Sequence, residues 1–243
     1  MASKLLAVGT TNAKTAKNTR PTSIMYLAPH TQNSKGVNVC PKASAGCAAA
    51  CLYNAGRGKF NSVQQARIGK TDRYLSDKKQ FSFDLLHELT RLNIKAGKTG
   101  VEIAVRLNGT SDIDFIYLIK KFTGVDVLEK MQNLVFYDYT KMIAKVKRYQ
   151  PVSHRYKITF SKAEDNDAYV MKALQLGAPV SVVFSTSKDE ALPTTWNGYR
   201  VVDGDSSDDQ MIDYDEAVIL GLRFKGSKAE RVEAINSGFV IQA

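Results

Sequence analysis

Apolar and polar positions alternate strictly over 101–107, with Val101, Ile103, Val105 and Leu107 on one side and Glu102, Ala104 and Arg106 on the other. A period of two predicts a half-buried strand. Short apolar runs predict further strands over 23–28, 134–139, 156–161, 180–185, 199–203 and 217–223. Between them the spacing becomes helical. Helices are expected over about 62–77 and 82–96, the second with Leu85, Leu89 and Leu92 on one stripe. Asn108-Gly109-Thr110 reads as a turn, and Ser111-x-x-Asp114 as a capping box opening a helix to about 122. A basic helix follows near 140–148, then one over 166–176 closed by Gly177 and Pro179. Ser227-x-x-Glu230 caps a last helix that ends at Gly238.

Strands alternating with helices predict an α/β fold with a parallel sheet, either a partial (βα) barrel or an open doubly wound sheet. The strand faces favour the barrel. With helices outside, the inward face carries Glu102, Arg106, Lys157, Thr159, Ser161, Ser181 and Ser185. A sheet buried on both faces reads as near-continuous apolar residues, so these polar positions predict a cavity for a polar small molecule. Such barrels hold their chemistry at the C-terminal strand ends. Residues 1–22 show no periodicity and read as a basic arm; 23–243 read as a single domain containing a long structured loop at 30–60, and loops of that length are usually functional.

Composition changes this picture in two places. No apolar stretch approaches the roughly 18 residues of a membrane span, and the N-terminal apolar run is short for a secretory signal. The expectation is therefore a soluble, cytoplasmic protein without a membrane partner. The net charge of +10 is uneven: residues 1–80 hold 13 Lys and Arg against only Asp72 and Asp77. The three cysteines, Cys40, Cys47 and Cys51, share that basic third, in a C-x6-C-x3-C spacing with small residues between them. A clustered, odd set in an intracellular chain points to metal or redox chemistry rather than a disulfide framework.

Three readings of the thiols follow. They are inert buried cysteines, since free Cys is often buried; a zinc site completed by His30, because closed zinc sites need four ligands; or ligands of a [4Fe-4S] cluster with one corner left to a non-Cys group. Three clustered cysteines after a first strand resemble the layout of radical S-adenosylmethionine enzymes. That resemblance implies a cluster on Cys40, Cys47 and Cys51 and S-adenosylmethionine on its fourth iron. The usual spacing there is C-x3-C-x2-C with an aromatic before the last cysteine; here the spacing is wider and Ala50 precedes Cys51.

The chain also resembles the bacteriophage gene-product-eighty-eight family. The similar segments are the Cys40-Pro41 start of the cluster, Cys51-Leu52-Tyr53-Asn54-Ala55-Gly56-Arg57-Gly58, residues 105–112, Phe136-Tyr137-Asp138-Tyr139-Thr140-Lys141, and Val202-Asp203-Gly204-Asp205. This implies a phage origin, hence the host cytoplasm, with an iron–sulfur site and a fold like the radical enzymes.

Strand ends supply the other candidates for cofactor or ligand contact: Arg106 and Asn108, then Tyr137, Asp138 and Lys141, then Ser161, Ser185, Asp203 and Asp205. Lys141 suits a carboxylate or phosphate, and an inward Arg106 suits an anion. The run 203–209 is not a calcium loop, since its sixth position is Asp208 rather than Gly and its twelfth is Tyr214 rather than Glu. No Ser-His-Asp arrangement is suggested by His30, His87 and His154. The basic third offers an alternative function, a metal-stabilised nucleic-acid-binding protein. Lys14, Lys17, Arg20, Lys35, Lys42, Arg57, Lys59, Arg67, Lys70 and Arg73 would follow phosphates, and Tyr26, Tyr53, Phe60 and Tyr74 would stack on bases. The two hypotheses are therefore an iron–sulfur protein with redox or radical chemistry on an unidentified small molecule, and that nucleic-acid binder.

Overall fold

The computed structural model describes residues 4–11, 15–49, 51, 56–225 and 227–243. In chain order the strands are β1 (Leu6–Val8), β2 (Thr22–Met25), β3 (Ile103–Arg106), β4 (Leu134–Thr140) and β5 (Tyr156–Ser161). They continue with β6 (Val180–Phe184), β7 (Thr195–Trp196), β8 (Tyr199–Asp203), β9 (Ile219–Arg223) and β10 (Val240–Ile241). The helices are α1 (Ala45–Ala49), α2 (Asn61–Ser76), α3 (Lys78–Thr99) and α4 (Phe115–Thr123). After them come α5 (Val127–Lys130), α6 (Ile143–Tyr149), α7 (Asp167–Gln175) and α8 (Lys228–Asn236). The sheet is mostly parallel, so the α/β class expected from the alternation of periods is the observed one. The chain divides into two compact units and passes from the first to the second at 16/17, at 41/42 and between Asp138 and Tyr139.

In the first unit (the residues before 17, Arg20–Pro41 and Cys51–Asp138) β1 pairs antiparallel with β2, and β2, β3 and β4 follow in parallel. β1 and its antiparallel pairing with β2 fall within the residues read from the sequence as a basic arm. Leu5 and Leu6 are buried at 0% and 2% exposure, and their N–H groups donate to the Glu88 carboxylate at 2.7 and 2.9 Å. Two leucines and a backbone pair outweigh a polar composition, because each buried leucine contributes about 1.5–3 kcal/mol. Helix α3 is set by Asp77, whose side chain accepts from the Gln80 N–H, and ends at Gly100 in the left-handed region at φ 65°, a conformation that favours glycine. Its inner stripe, Phe81, Leu85, Leu89 and Ala96, is buried. Tyr74, Phe81 and Phe115 pack ring to ring at 5.4–5.9 Å.

Two local expectations change here. The cap of α4 is Asp114, which accepts from the Tyr117 N–H; Ser111 instead donates to Asn108 Oδ1 at 2.9 Å. A serine that finds a buried acceptor in the preceding turn is taken out of the capping position. Glu102 lies just before β3, pairs with Arg20 at 3.2 Å and keeps 43% of its side chain exposed. Ala104 and Val105 are both fully buried, so the middle of β3 is covered on both faces and carries no polar inner row.

The second unit (Lys17–Thr19, residues 42–50 and Tyr139–Ala243) orders its strands β5-β6-β9-β8-β7. β5 pairs with Val180 and Ser181 of β6, and β10 takes Val183 and Phe184. Here the polar row exists, but it is satisfied internally. Lys157 Nζ donates to the Tyr214 carbonyl, and Thr159 Oγ1 lies 3.1 Å from Met211 Sδ. Ser181 Oγ meets Ser161 Oγ at 3.2 Å. The Ser227 capping box of α8 forms with both of its bonds.

Candidate functional site

The cysteine loop is built from short-range hydrogen bonds. In the first unit, the Cys40 N–H donates to Asn38 Oδ1 at 2.7 Å, and its Sγ lies 3.7 Å from the Thr110 carbonyl. The Asp112 N–H donates to the Val39 carbonyl at 3.0 Å, which ties the segment before Cys40 to the turn after β3. Cys51 belongs to the same unit; Ala50 and residues 52–55 of the motif around it lie outside the described residues. The ring of His30, the candidate fourth ligand, contacts Thr31 Oγ1 at 3.3 Å.

In the second unit Cys47 sits on α1, a helix of five residues whose first turn is held by Glu164. Glu164 Oε1 accepts from the Gly46 N–H at 2.6 Å. A Cβ at Gly46 would collide with that oxygen, so the close approach requires glycine. Burial pushes the Glu164 carboxyl up, but bonds from Ser44 and from its own and the Gly46 N–H, together with the Lys141 charge, hold it below its ordinary value. Lys141, one residue beyond β4, donates from Nζ to Cys47 Sγ at 3.2 Å. Cys47, Lys141 and Glu164 thus form a sulfur, a cation and an anion around α1. All three cysteines stand outside disulfides and are half-buried. Among the described residues, no three His, Cys, Asp or Glu side chains gather into a group that could hold a metal ion.

The remaining predicted contact residues divide between core and internal pairs. Tyr137 and Asp138 are both 0% exposed and Asn108 is 2% exposed. Asp138 accepts from the Asn108 N–H at 2.8 Å and from Asn108 Nδ2 at 2.9 Å. Arg106 ends β3, half-buried and in register with Ile24. Ser161 meets Ser181, and Ser185 Oγ accepts from the Ala243 N–H at 3.1 Å. Asp203 and Asp205 face Arg223, at 2.9 and 3.7 Å, and Lys225 binds Asp205 at 2.9 Å; the acidic turn is neutralised by cations of its own unit. Of the predicted set, the fold brings together Lys141 with Cys47, Asn108 with Asp138, and Asp203 with Asp205. Glu164 escaped the sequence reading. Its position three residues past β5 is the signal that could have found it, since strand ends are where functional groups collect.

The basic third is less available than its composition suggests. Arg73 is held by Asp84, and Lys70 Nζ donates to the Leu5 carbonyl, with its pKa lowered chiefly by burial. Arg67 covers the Tyr26 ring at 4.9 Å. Tyr74 is buried, while Phe60 remains 59% exposed; Lys14 and Tyr53 lie outside the described residues. No helix among the described residues is long and apolar enough to cross a membrane.

Comparison with curated proteins and with solved structures gives no match. A family model described as Gene product 88 matches residues 4–243. That span covers nearly the whole chain, including the cysteine loop, the Asn108–Asp138 turn and the Arg223-neutralised acidic turn, and the chain therefore belongs to the Gene product 88 family.

Proposed function

We propose that the chain is a phage iron–sulfur protein in which Cys40, Cys47 and Cys51 ligate a [4Fe-4S] cluster. The observation that carries this reading is the contact of Lys141 Nζ with Cys47 Sγ at 3.2 Å. Hydrogen bonds to ligating sulfur and a nearby positive charge are the means by which a protein tunes an anionic cluster. Three half-buried cysteines outside disulfides supply the sulfur donors. Cys40, Cys47 and Cys51 would hold the cluster through their thiolates. When bound, the cluster supplies one-electron redox chemistry and leaves one iron for a non-Cys ligand; S-adenosylmethionine is the group the radical-enzyme resemblance assigns to it. The same reading takes the parallel sheet as a partial (βα) barrel.

Within this reading each residue has its own task. The Glu164–Gly46 bond fixes the start of α1, Lys141 donates to the sulfur of Cys47, and the Val39–Asp112 bond seats Cys40. Anaerobic purification followed by iron and sulfide analysis tests the proposal. Brown protein with about four irons and four sulfides per chain is expected, and Cys40→Ala/Cys47→Ala/Cys51→Ala should lose both. A colourless, zinc-loaded protein, or a chromophore that survives the triple substitution, overturns it.

A further inference from the structure

We infer that the outward face of α3 is a docking surface for the phosphate backbone of nucleic acid, a site independent of the cysteine loop and outside the basic third. The helix has 22 residues and spans about 33 Å. Its inner stripe is buried, and the opposite side presents Phe83, His87, Arg91, Ile94 and Lys98 at spacings of three and four, with Lys95 alongside. Such spacing keeps side chains on one face.

The charge balance of this face comes from which groups the fold uses internally. The helix has only two carboxylates. Asp84 binds Arg73 and Gln80, and Glu88 accepts the Leu5 and Leu6 N–H groups. Arg91, Lys95 and Lys98 are all exposed, and among the described residues none forms an ion pair or hydrogen bond through its side chain. They line a shallow cleft of about 390 Å³ together with Ile94 and Thr99. The fold therefore separates the charges of α3, with anions turned inward and cations left in water.

A polyanion fits this face. Arg91 to Lys98 covers about 10 Å of helix axis, comparable to the rise of three nucleotides at about 3.4 Å each. About 12 Å further along the axis, Phe83 is 42% exposed and offers a ring on which an unpaired base can stack. A membrane surface fits less well, since the continuous apolar face that an interfacial helix would insert is buried as Phe81, Leu85 and Leu89.

The test is fluorescence anisotropy of the full chain with a labelled mixed-sequence single strand and its duplex, at about 50 and 200 mM salt. Binding that weakens steeply with salt is expected, with the single strand preferred. Arg91→Glu/Lys95→Glu/Lys98→Glu should lower affinity at least tenfold and flatten the single-strand salt slope by about two. Arg91→Gln/Lys95→Gln/Lys98→Gln should act in the same direction, with circular dichroism unchanged. Lys147→Glu/Lys172→Glu/Lys188→Glu makes the same change in net charge elsewhere and should leave binding nearly intact. Absence of binding at low salt, or an equal loss in that control, overturns the proposal. So does capture by phosphatidylserine vesicles, or binding to a poly-glutamate peptide, that depends on the three cations while the oligonucleotide does not bind.

Discussion

Asn108 and Asp138 hold one another through two bonds, one from the backbone and one from the side chain of Asn108. Asn108 Oδ1 at the same time accepts from Ser111 Oγ and from the Ile113 N–H. One amide thus closes the turn after β3 and anchors it to the buried carboxylate of β4. Asp138→Ala should cost about 3 kcal/mol by leaving buried donors unmatched. Urea unfolding of Asp138→Ala, Asn108→Ala and the double variant measures it. A coupling energy near zero would show that the two residues act separately.

On the proposed cluster reading, Lys141 is expected to act on the metal through Cys47. Removal of an outer partner of a ligand typically lowers metal affinity by 10–100-fold. Lys141→Met should therefore retain less iron than the unsubstituted chain under chelator challenge, while Lys141→Arg retains most of it. Equal iron retention by all three proteins would remove Lys141 from the site.

Gly46 and Glu164 should be energetically coupled. Gly46→Ala forces the carboxylate away from α1 and is expected to destabilise by about 1–3 kcal/mol. In a Glu164→Ala background the same change should cost much less, because the colliding oxygen is gone. Simple additivity of the two substitutions in chemical denaturation would refute the steric account.

The same carboxylate predicts a pH dependence. Its pKa in the folded chain is below the ordinary 4.5, so the folded state favours the charged form. That contribution is complete above pH 4.5 and is lost as pH falls through the lower folded value. Glu164→Gln should flatten the acid limb of a stability-versus-pH curve and leave its neutral region parallel to that of the unsubstituted chain.

The N-terminal strand is expected to contribute to stability. Glu88→Ala leaves the Leu5 and Leu6 N–H groups without their acceptor, at a cost of about 1–3 kcal/mol. Leu6→Ala should cost about 2–4 kcal/mol. Both are measured by urea titration, and wild-type midpoints would restore the picture of a free arm.

Much of the fold was legible because it rests on local periodicity. β5 and β8 fall where their apolar runs end, and α2, α7 and the Ser227 cap lie within a residue or two of expectation. β1 and β10 were not legible, since strands of three and two residues have no period of their own and exist only through their partners. The site was legible in its residue types more than in its contacts. Cys47 and Lys141 stood out as a thiol and a strand-end cation, but they are 94 residues apart, and no spacing rule joins them.

From its amino-acid order alone the chain determines its α/β class, the basic first third and the clustering of every cysteine in it, because these follow from pattern and count. Only the tertiary structure decides which charges remain available. It binds Asp138 to Asn108, closes Asp203 and Asp205 with Arg223, and turns Glu88 of α3 inward while Arg91, Lys95 and Lys98 stay in water. Burying a polar group is costly unless a partner meets it, and partners are chosen by three-dimensional proximity, which a one-dimensional pattern does not contain.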